Sequence, residues 1–229
     1  MPETGISLLA AIRDGRSARR VLLDAELEEL APLMRGRVLE VGGGRRGRRG
    51  TFTPSPQADA WLYVDVNVQA APHVGADVMS LPFGDQTFDT VMCLEVLEYV
   101  PSPEAALAEM NRVLRNGGIL IMSAPLNTRP DTVNDFWRFT APGLRRLATS
   151  AGFEVTRVRA QGSAVSTLLH MCRSLNRGSK WRRRLVAWVT TPVFRMLLKW
   201  DGSNSTMESA IGGYTTGYVL VARNSSEGG

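Results

Sequence analysis

The chain has 229 residues, 44% hydrophobic and 21% charged, with a formal net charge of +5 and a pI near 9.8. That balance excludes a disordered polypeptide, and the length admits one well-buried domain with roughly 50 residues to spare. Cys93 and Cys172 lie in unlike settings and His73 and His170 lack ligand spacing, which excludes a disulfide framework and a zinc site, while the basic sign favours an anionic partner without choosing among nucleic acid, membrane and phosphorylated substrate.

In chain order, residues 17 to 34 place Val21, Leu22, Ala25, Leu27, Leu30 and Leu33 at helical spacing, which predicts an amphipathic lead-in helix within an N-terminal segment 1–36. Arg37 to Val41 predicts a strand that stops at three glycines. Trp61 to Val66 predicts a second strand, Asp77 to Ser80 a short third one, and Phe88 to Leu94 a buried fourth. Ser102 as N-cap, with Pro103 and Glu104, opens a helix that runs to about Leu114 and is expected to end at Asn116-Gly117-Gly118. Ile119 to Ala124 is the next strand. Thr140-Ala141-Pro142 opens a helix closed by Gly152, and Phe153 to Arg159 and Tyr218 to Ala222 are the last strands. Strands alternating with helices predict an α/β fold, a doubly wound and mostly parallel seven-stranded sheet. The continuous apolar runs at 88–94 and 119–124 suit strands buried on both faces.

Strand followed by Gly42-Gly43-Gly44 lets the backbone turn sharply and approach a ligand. Gly42, Gly44 and Gly47 also fit the dinucleotide spacing, with Asp65 placed as a ribose-binding acid, so the turn by itself leaves a nicotinamide dinucleotide and S-adenosylmethionine both open.

The surrounding motifs separate the two. Glu40-x-Gly42-x-Gly44 resembles the first motif of class I methyltransferases, Val64-Asp65-Val66-Asn67 the next, and Ala76-Asp77-Val78 before Leu81-Pro82-Phe83 the adenine-binding stretch. Phe88-Asp89-Thr90-Val91 followed by Leu94-Glu95-Val96-Leu97-Glu98-Tyr99-Val100 is similar to the signature of the type 11 group, and Val113-Leu114-Arg115-Asn116-Gly117-Gly118 continues it. The resemblance implies a Rossmann-like S-adenosylmethionine-binding core over 37–160, completed by the last strand within 214–229. It implies cofactor contacts at Glu40, Gly42, Gly43, Gly44, Asp65, Val66, Asp77, Val78, Leu94 and Glu95. Asp65 would accept both ribose hydroxyls, Asp77 would meet the adenine amine and Val78 would offer a backbone donor. No metal is implied.

Tyr99 stands where the family often has histidine, so a histidine base at that place is excluded. Tyr99 either donates to an acceptor or packs on the sheet. The acceptor is expected over the carboxyl ends of the strands, near Leu94-Glu95 and the loop from Pro125 to Thr140. In that loop Asn134 to Thr140 resembles an element of a branch found among bacterial surface-glycan genes. Asp135 and Arg138 either pair with each other or serve as general base and anion contact. These features lead to an expected O-methyltransferase acting on a small or lipid- or glycan-linked acceptor. A non-catalytic module of the same fold and an RNA methyltransferase are the alternatives.

Two basic features stand outside the core. Arg45-Arg46-Gly47-Arg48-Arg49-Gly50 is either solvated or gathers phosphate beside the cofactor mouth. Within an insertion spanning 161–213, residues 163–200 carry eight basic residues and no acid, interleaved with Trp181, Trp188, Phe194 and Trp200. Three roles suit it: a helical cap or homodimer face, a membrane-surface helix, and an RNA contact, the last fitting least because no RNA-binding module is recognisable. Met1-Pro2-Glu3-Thr4 lacks the build of a signal peptide and no apolar run approaches the roughly 20 residues of a bilayer span, so a cytoplasmic chain is expected, with at most peripheral contact at the inner membrane face.

Overall fold

A computed structural model describes residues 17–45, 50–130, 132–175, 196 and 214–225. Helix α1 (Ala18–Leu30) starts where the Ser17 hydroxyl accepts the Arg20 N–H at 3.2 Å. It runs through a 3-10 turn, Ala31–Leu33, into β1 (Gly36–Val41). There follow β2 (Ala58–Asp65), β3 (Val74–Gly75), β4 (Phe88–Leu94), α2 (Pro103–Val113), β5 (Leu114–Pro125), α3 (Ala141–Ser150), β6 (Phe153–Ala160), α4 (Ala164–Leu175) and β7 (Gly217–Asn224). They make one seven-stranded sheet in the order β3-β2-β1-β4-β5-β7-β6. The pairs on the β1–β5 side are parallel, and β7 runs antiparallel to both β5 and β6.

Because side chains alternate across a strand, the central runs feed two cores. On one face Met92, Ile121, Val219 and Val221 pack with Leu23, Leu27 and Leu30 of α1 and with Phe52. On the other, Val91, Cys93, Leu120, Met122, Leu220 and Ala222 pack with Leu107 and Met110 of α2 and Leu144 and Ala148 of α3. The expected winding on both faces is therefore what the chain adopts.

Three expectations are corrected. The third strand is Val74–Gly75, paired with Val64 and Asp65, and residues 77–80 form a turn. There the Asp77 carboxylate takes the Met79 N–H at 2.9 Å and its carbonyl takes the Ser80 N–H at 3.0 Å, occupying the donors a strand would need. Helix α2 does not end at the glycines: Leu114 is already extended and pairs with Phe88, and Gly117 lies inside β5 with φ +73°. Leu33 is 40% exposed rather than on the buried stripe, because the tighter turn that opens on Ala31-Pro32 rotates it outward and Met34 is buried instead. Of the insertion spanning 161–213, residues 176–195 and 197–213 lie outside the described residues, as do Arg46 to Arg49.

Candidate functional site

The parallel strands β1, β2 and β4 end together, and the loops leaving them lie at one edge of the sheet. At the end of β1, Gly42 takes φ +69° and Gly42 and Gly43 donate to the Val64 carbonyl at 2.7 and 3.3 Å. A Cβ on Gly42 would lie 2.2 Å from Val96 Cγ2, and one on Gly44 2.3 Å from the Ala70 carbonyl oxygen, so this turn accepts glycine for steric reasons. Glu40 supports it from beneath: buried, it accepts the Trp61 indole N–H at 2.9 Å and sits 2.8 Å from where a Gly43 Cβ would be.

Asp65 ends β2, and its Oδ1 accepts the Asn67 N–H at 2.7 Å, which fixes the carboxyl while leaving its other oxygen for a further donor. Val66 beside it is 77% exposed. Asp77 is exposed and Val78 buried, on the turn that follows β3. The glycine turn, Asp65 and the Asp77-Val78 turn thus follow one another along the carboxyl edge from β1 through β2 to β3. A glycine turn, then the Asp65 carboxyl, then the exposed Asp77 beside the buried Val78 are thus set out in that order.

Past Leu94, Glu95 adopts φ +60°, a left-handed conformation that costs a non-glycine residue about 1–2 kcal/mol. It is held there by its N–H on the Ser123 carbonyl at 3.0 Å, by the Ser123 hydroxyl on its Oε1 at 2.9 Å, and by an ion pair with Arg19. Arg19 reaches in from α1, its side chain 6% exposed, and also donates to the Thr216 carbonyl at 3.1 Å. The lead-in helix therefore contributes a cation to the site. The sequence signal for it was an arginine on the same stripe as Leu23, Leu27 and Leu30, a place where a solvated residue would not stand.

Glu98 is the second group that sequence reasoning passed over. It lies in the 3-10 turn Leu97–Tyr99, is 2% exposed, and among the described residues its Oε2 has no hydrogen-bond partner. Burial and the nearby Glu95 carboxylate push its carboxyl up to about 8, against the weaker pull of its own backbone N–H and of Arg19, with Asp135 adding a smaller upward push. Cys93 beneath is held a thiol by burial and by the same two glutamates.

The loop after β5 folds over this corner. Phe136 and Trp137 donate their backbone N–H groups to the Glu98 carbonyl at 2.8 and 3.3 Å, and the Trp137 indole donates to the Val100 carbonyl at 2.9 Å. Asp135 and Arg138 form a two-pronged pair, with Nη2 on Oδ2 at 2.7 Å, and the Asp135 side chain is 2% exposed. Of the two roles open to them, mutual pairing is the one the structure displays. A carboxylate so held is a weak base, which weakens the general-base role for Asp135. Tyr99 is half-buried and close enough to act on the Arg138 charge. Arg138→Ala removes the partner of a buried carboxylate and is expected to cost about 2–4 kcal/mol, read as a lower urea midpoint, and Asp135→Asn in the same chain should recover most of it.

Gln161, 3% exposed, has its backbone pinned by Thr215, Thr216 and Gly217, and among the described residues neither polar atom of its carboxamide has a partner. Among the described residues no group of three or more His, Cys, Asp or Glu could hold a metal.

Residues 54–122 match the family model described as a methyltransferase domain. Among curated proteins, the chain is 40% identical over 123 residues to the ubiquinone/menaquinone biosynthesis C-methyltransferase of Idiomarina loihiensis, covering 45% of this chain and 49% of that one. It is 44% identical over 46 residues to the phosphatidylethanolamine N-methyltransferase of Cereibacter sphaeroides, covering 20% and 23%. The chain spans less than half the length of these relatives. In fold it is similar to an S-adenosylmethionine-dependent methyltransferase from Archaeoglobus fulgidus (TM-score 0.53, 17% identity, 89% of this chain and 94% of that one). It is equally similar to the [4+2]-cyclase SpnF (TM-score 0.53, 22% identity, 90% and 80%), so the fold alone does not name the reaction. In the matched residues 54–122 and in the order of its motifs, the chain is similar to class I, S-adenosylmethionine-dependent methyltransferase domains of type 11.

Proposed function

We propose that the chain transfers the methyl group of S-adenosylmethionine to a hydroxyl oxygen of a small, or lipid- or glycan-linked, polar acceptor. The observation that carries the cofactor half is the cradle at Gly42 and Gly44, where an added Cβ would strike a neighbour at 2.2 and 2.3 Å. In this reading Glu40, Gly42, Gly43 and Gly44 seat the methionine end together with Leu94 and Glu95. Asp65, with Val66 beside it, takes the ribose, and Asp77 and Val78 take the adenine. The bound cofactor supplies an already activated methyl group, so the protein's task is alignment and exclusion of water.

The acceptor half rests on what lines the corner beyond Glu95. Among the described residues, Glu98 beneath the covering loop keeps a buried carboxyl oxygen without a hydrogen-bond partner. Tyr99 can donate to the acceptor, Trp137 and the Asp135–Arg138 pair wall it in, and Asp135 acts as base only where Arg138 releases it. Methylation at carbon is the second reading, favoured by the name of the Idiomarina relative. A phenolic acceptor deprotonated in this corner is nucleophilic at its oxygen and at ring carbon alike.

Among the described residues no helix is long and apolar enough to cross a membrane. The basic stretch 163–200 remains our proposed contact with a membrane surface or a second copy. The proposed activity is tested by formation of S-adenosylhomocysteine with a panel of phenols and with cell extract, products being located by mass spectrometry. Asp65→Ala should lower S-adenosylmethionine affinity about 100-fold, since it removes charge-assisted bonds to two hydroxyls, with little change in thermal stability. Wild type that forms no S-adenosylhomocysteine with any acceptor would defeat the proposal.

A further inference from the structure

Arg19 stands on the buried stripe of α1 with Leu23, Leu27 and Leu30, and its guanidinium is buried with them. A buried charge is stable only where it is paired and hydrogen-bonded. The two ends of its fork go to different parts of the molecule. Nη2 pairs with Oε1 of Glu95, just past β4, and Nη1 donates to the Thr216 carbonyl at 3.1 Å, just before β7. That carbonyl is also where the loop after β5 is rooted. The Leu126 and Asn127 N–H groups reach it at 3.0 and 3.3 Å, and the Asn127 carboxamide donates to the Thr215 carbonyl at 2.7 Å. One side chain of the lead-in helix therefore joins residue 95 to the root of the covering loop.

Glu95 needs such a hold. It stands at φ +60°, where an L side chain is strained, and among the described residues Arg19 is the one cation paired with it. Its other supports come from Ser123 on β5, whose carbonyl takes the Glu95 N–H at 3.0 Å and whose hydroxyl donates to Oε1 at 2.9 Å. Arg19 and Ser123 both take Oε1, and among the described residues Oε2 has no partner. The Glu95 side chain is 26% exposed, so a ligand can meet it. Three donors share the Thr216 carbonyl and two of them survive the loss of Arg19, so the loop root does not depend on that residue. The Glu95 carboxylate does.

We infer that Arg19 is a positioning residue for cofactor binding: it holds Glu95 in its left-handed pose, which makes the lead-in helix a working part of the cofactor site. The inference rests on the reading of Glu95 as a contact for the methionine end of S-adenosylmethionine. Arginine suits the place because its planar fork serves two acceptors at once, whereas the ammonium of lysine is a single point charge. Lysine at 19 can keep the pair with Glu95 and give up the bond to Thr216.

Two measurements test it, the first without ligand. NMR chemical shifts assigned at Glu95 report its backbone, which should be left-handed in wild type and in Arg19→Lys and should leave that region in Arg19→Met. For the second, S-adenosylhomocysteine is titrated by calorimetry into wild type, Arg19→Met, Arg19→Lys, Glu95→Gln and the double variant of Arg19→Met with Glu95→Gln. Conditions are chosen so that circular dichroism shows every protein folded. Arg19→Met should weaken binding about 10-fold and Arg19→Lys less than about threefold. In the Glu95→Gln background, Arg19→Met should cost less than about twofold, because the group it acts through is already gone.

A purely structural ion pair would lower the urea midpoint of Arg19→Met while leaving the Glu95 backbone and the affinity of the folded protein unchanged, and that result overturns the inference. An equal loss of affinity with and without the Glu95 carboxylate overturns it too. Where Arg19→Met does not fold, Arg19→Gln, which keeps a polar head in the buried place without the charge, gives the same reading. If the Glu95 backbone responds as expected but wild type binds no S-adenosylhomocysteine, it is the cofactor reading that fails, and the inference falls with it.

Discussion

Replacing Glu98 by glutamine is expected to stabilise the protein at pH 8 and to change little near pH 4.5. A carboxyl raised in the folded state from its ordinary 4.5 to about 8 binds its proton more tightly there than in the unfolded chain. Below 4.5 both states are protonated and the residue carries no penalty. Between 4.5 and 8 the unfolded chain gives up its proton and the folded chain keeps it, so stability falls as pH rises, by up to about 1.4 kcal/mol per pH unit. Above 8 the penalty is complete and constant. Glutamine fills the same space without the ionisation, so its advantage should grow to on the order of 3–5 kcal/mol at pH 8. Urea unfolding of both proteins at pH 5 and pH 8 measures it. A gap of the same size at both values would show that the carboxyl is not held protonated.

The second large effect concerns the glycine turn. Gly42→Ala places a Cβ 2.2 Å from Val96 Cγ2 at a φ of +69°. The left-handed backbone costs alanine about 1–2 kcal/mol, and the β-branched Val96 has few other rotamers to retreat to. The turn must open, and with it the seat for the methionine end. S-adenosylhomocysteine affinity is expected to fall by at least about 30-fold, or 2 kcal/mol, while the sheet persists. Gly84→Ala is the control: its Cβ would meet nothing nearer than Thr87 Oγ1 at 3.7 Å, and its effect on affinity should be within error. A Gly42→Ala protein that binds as well as wild type would show that the turn does not touch the ligand.

Much of this arrangement was legible in the residues themselves. β4 at Phe88–Leu94 announced itself as an unbroken apolar run between turn residues, and Ser102 and Thr140 marked two helix starts by capping chemistry. The glycine turn and the acids at 65 and 77 were legible as motifs. What escaped notice depends on contacts distant in sequence or on competition for one donor. Val74–Gly75 is too short to carry a pattern, and the neighbouring Asp77 looked like strand until its side chain is seen to take the Met79 N–H. Arg19 reaches Glu95 across 76 positions, a contact no local spacing reveals. Glu98 stands in plain view within Leu94 to Val100, yet a formula of residue types does not say that one oxygen is buried and, among the described residues, without a partner. Asp135 and Arg138 could have paired or worked apart, and only the loop's path over Glu98 brings them into their two-pronged contact.

The central claim is that the edge built from Gly42, Asp65 and Asp77 holds S-adenosylmethionine. Titrating S-adenosylhomocysteine into the wild-type chain by calorimetry tests it most directly, because this product needs no acceptor and cannot turn over. Saturable binding at one site per chain, with an affinity in the micromolar range of about −8 kcal/mol, is the predicted result. Absence of binding at millimolar ligand by a folded protein would contradict it.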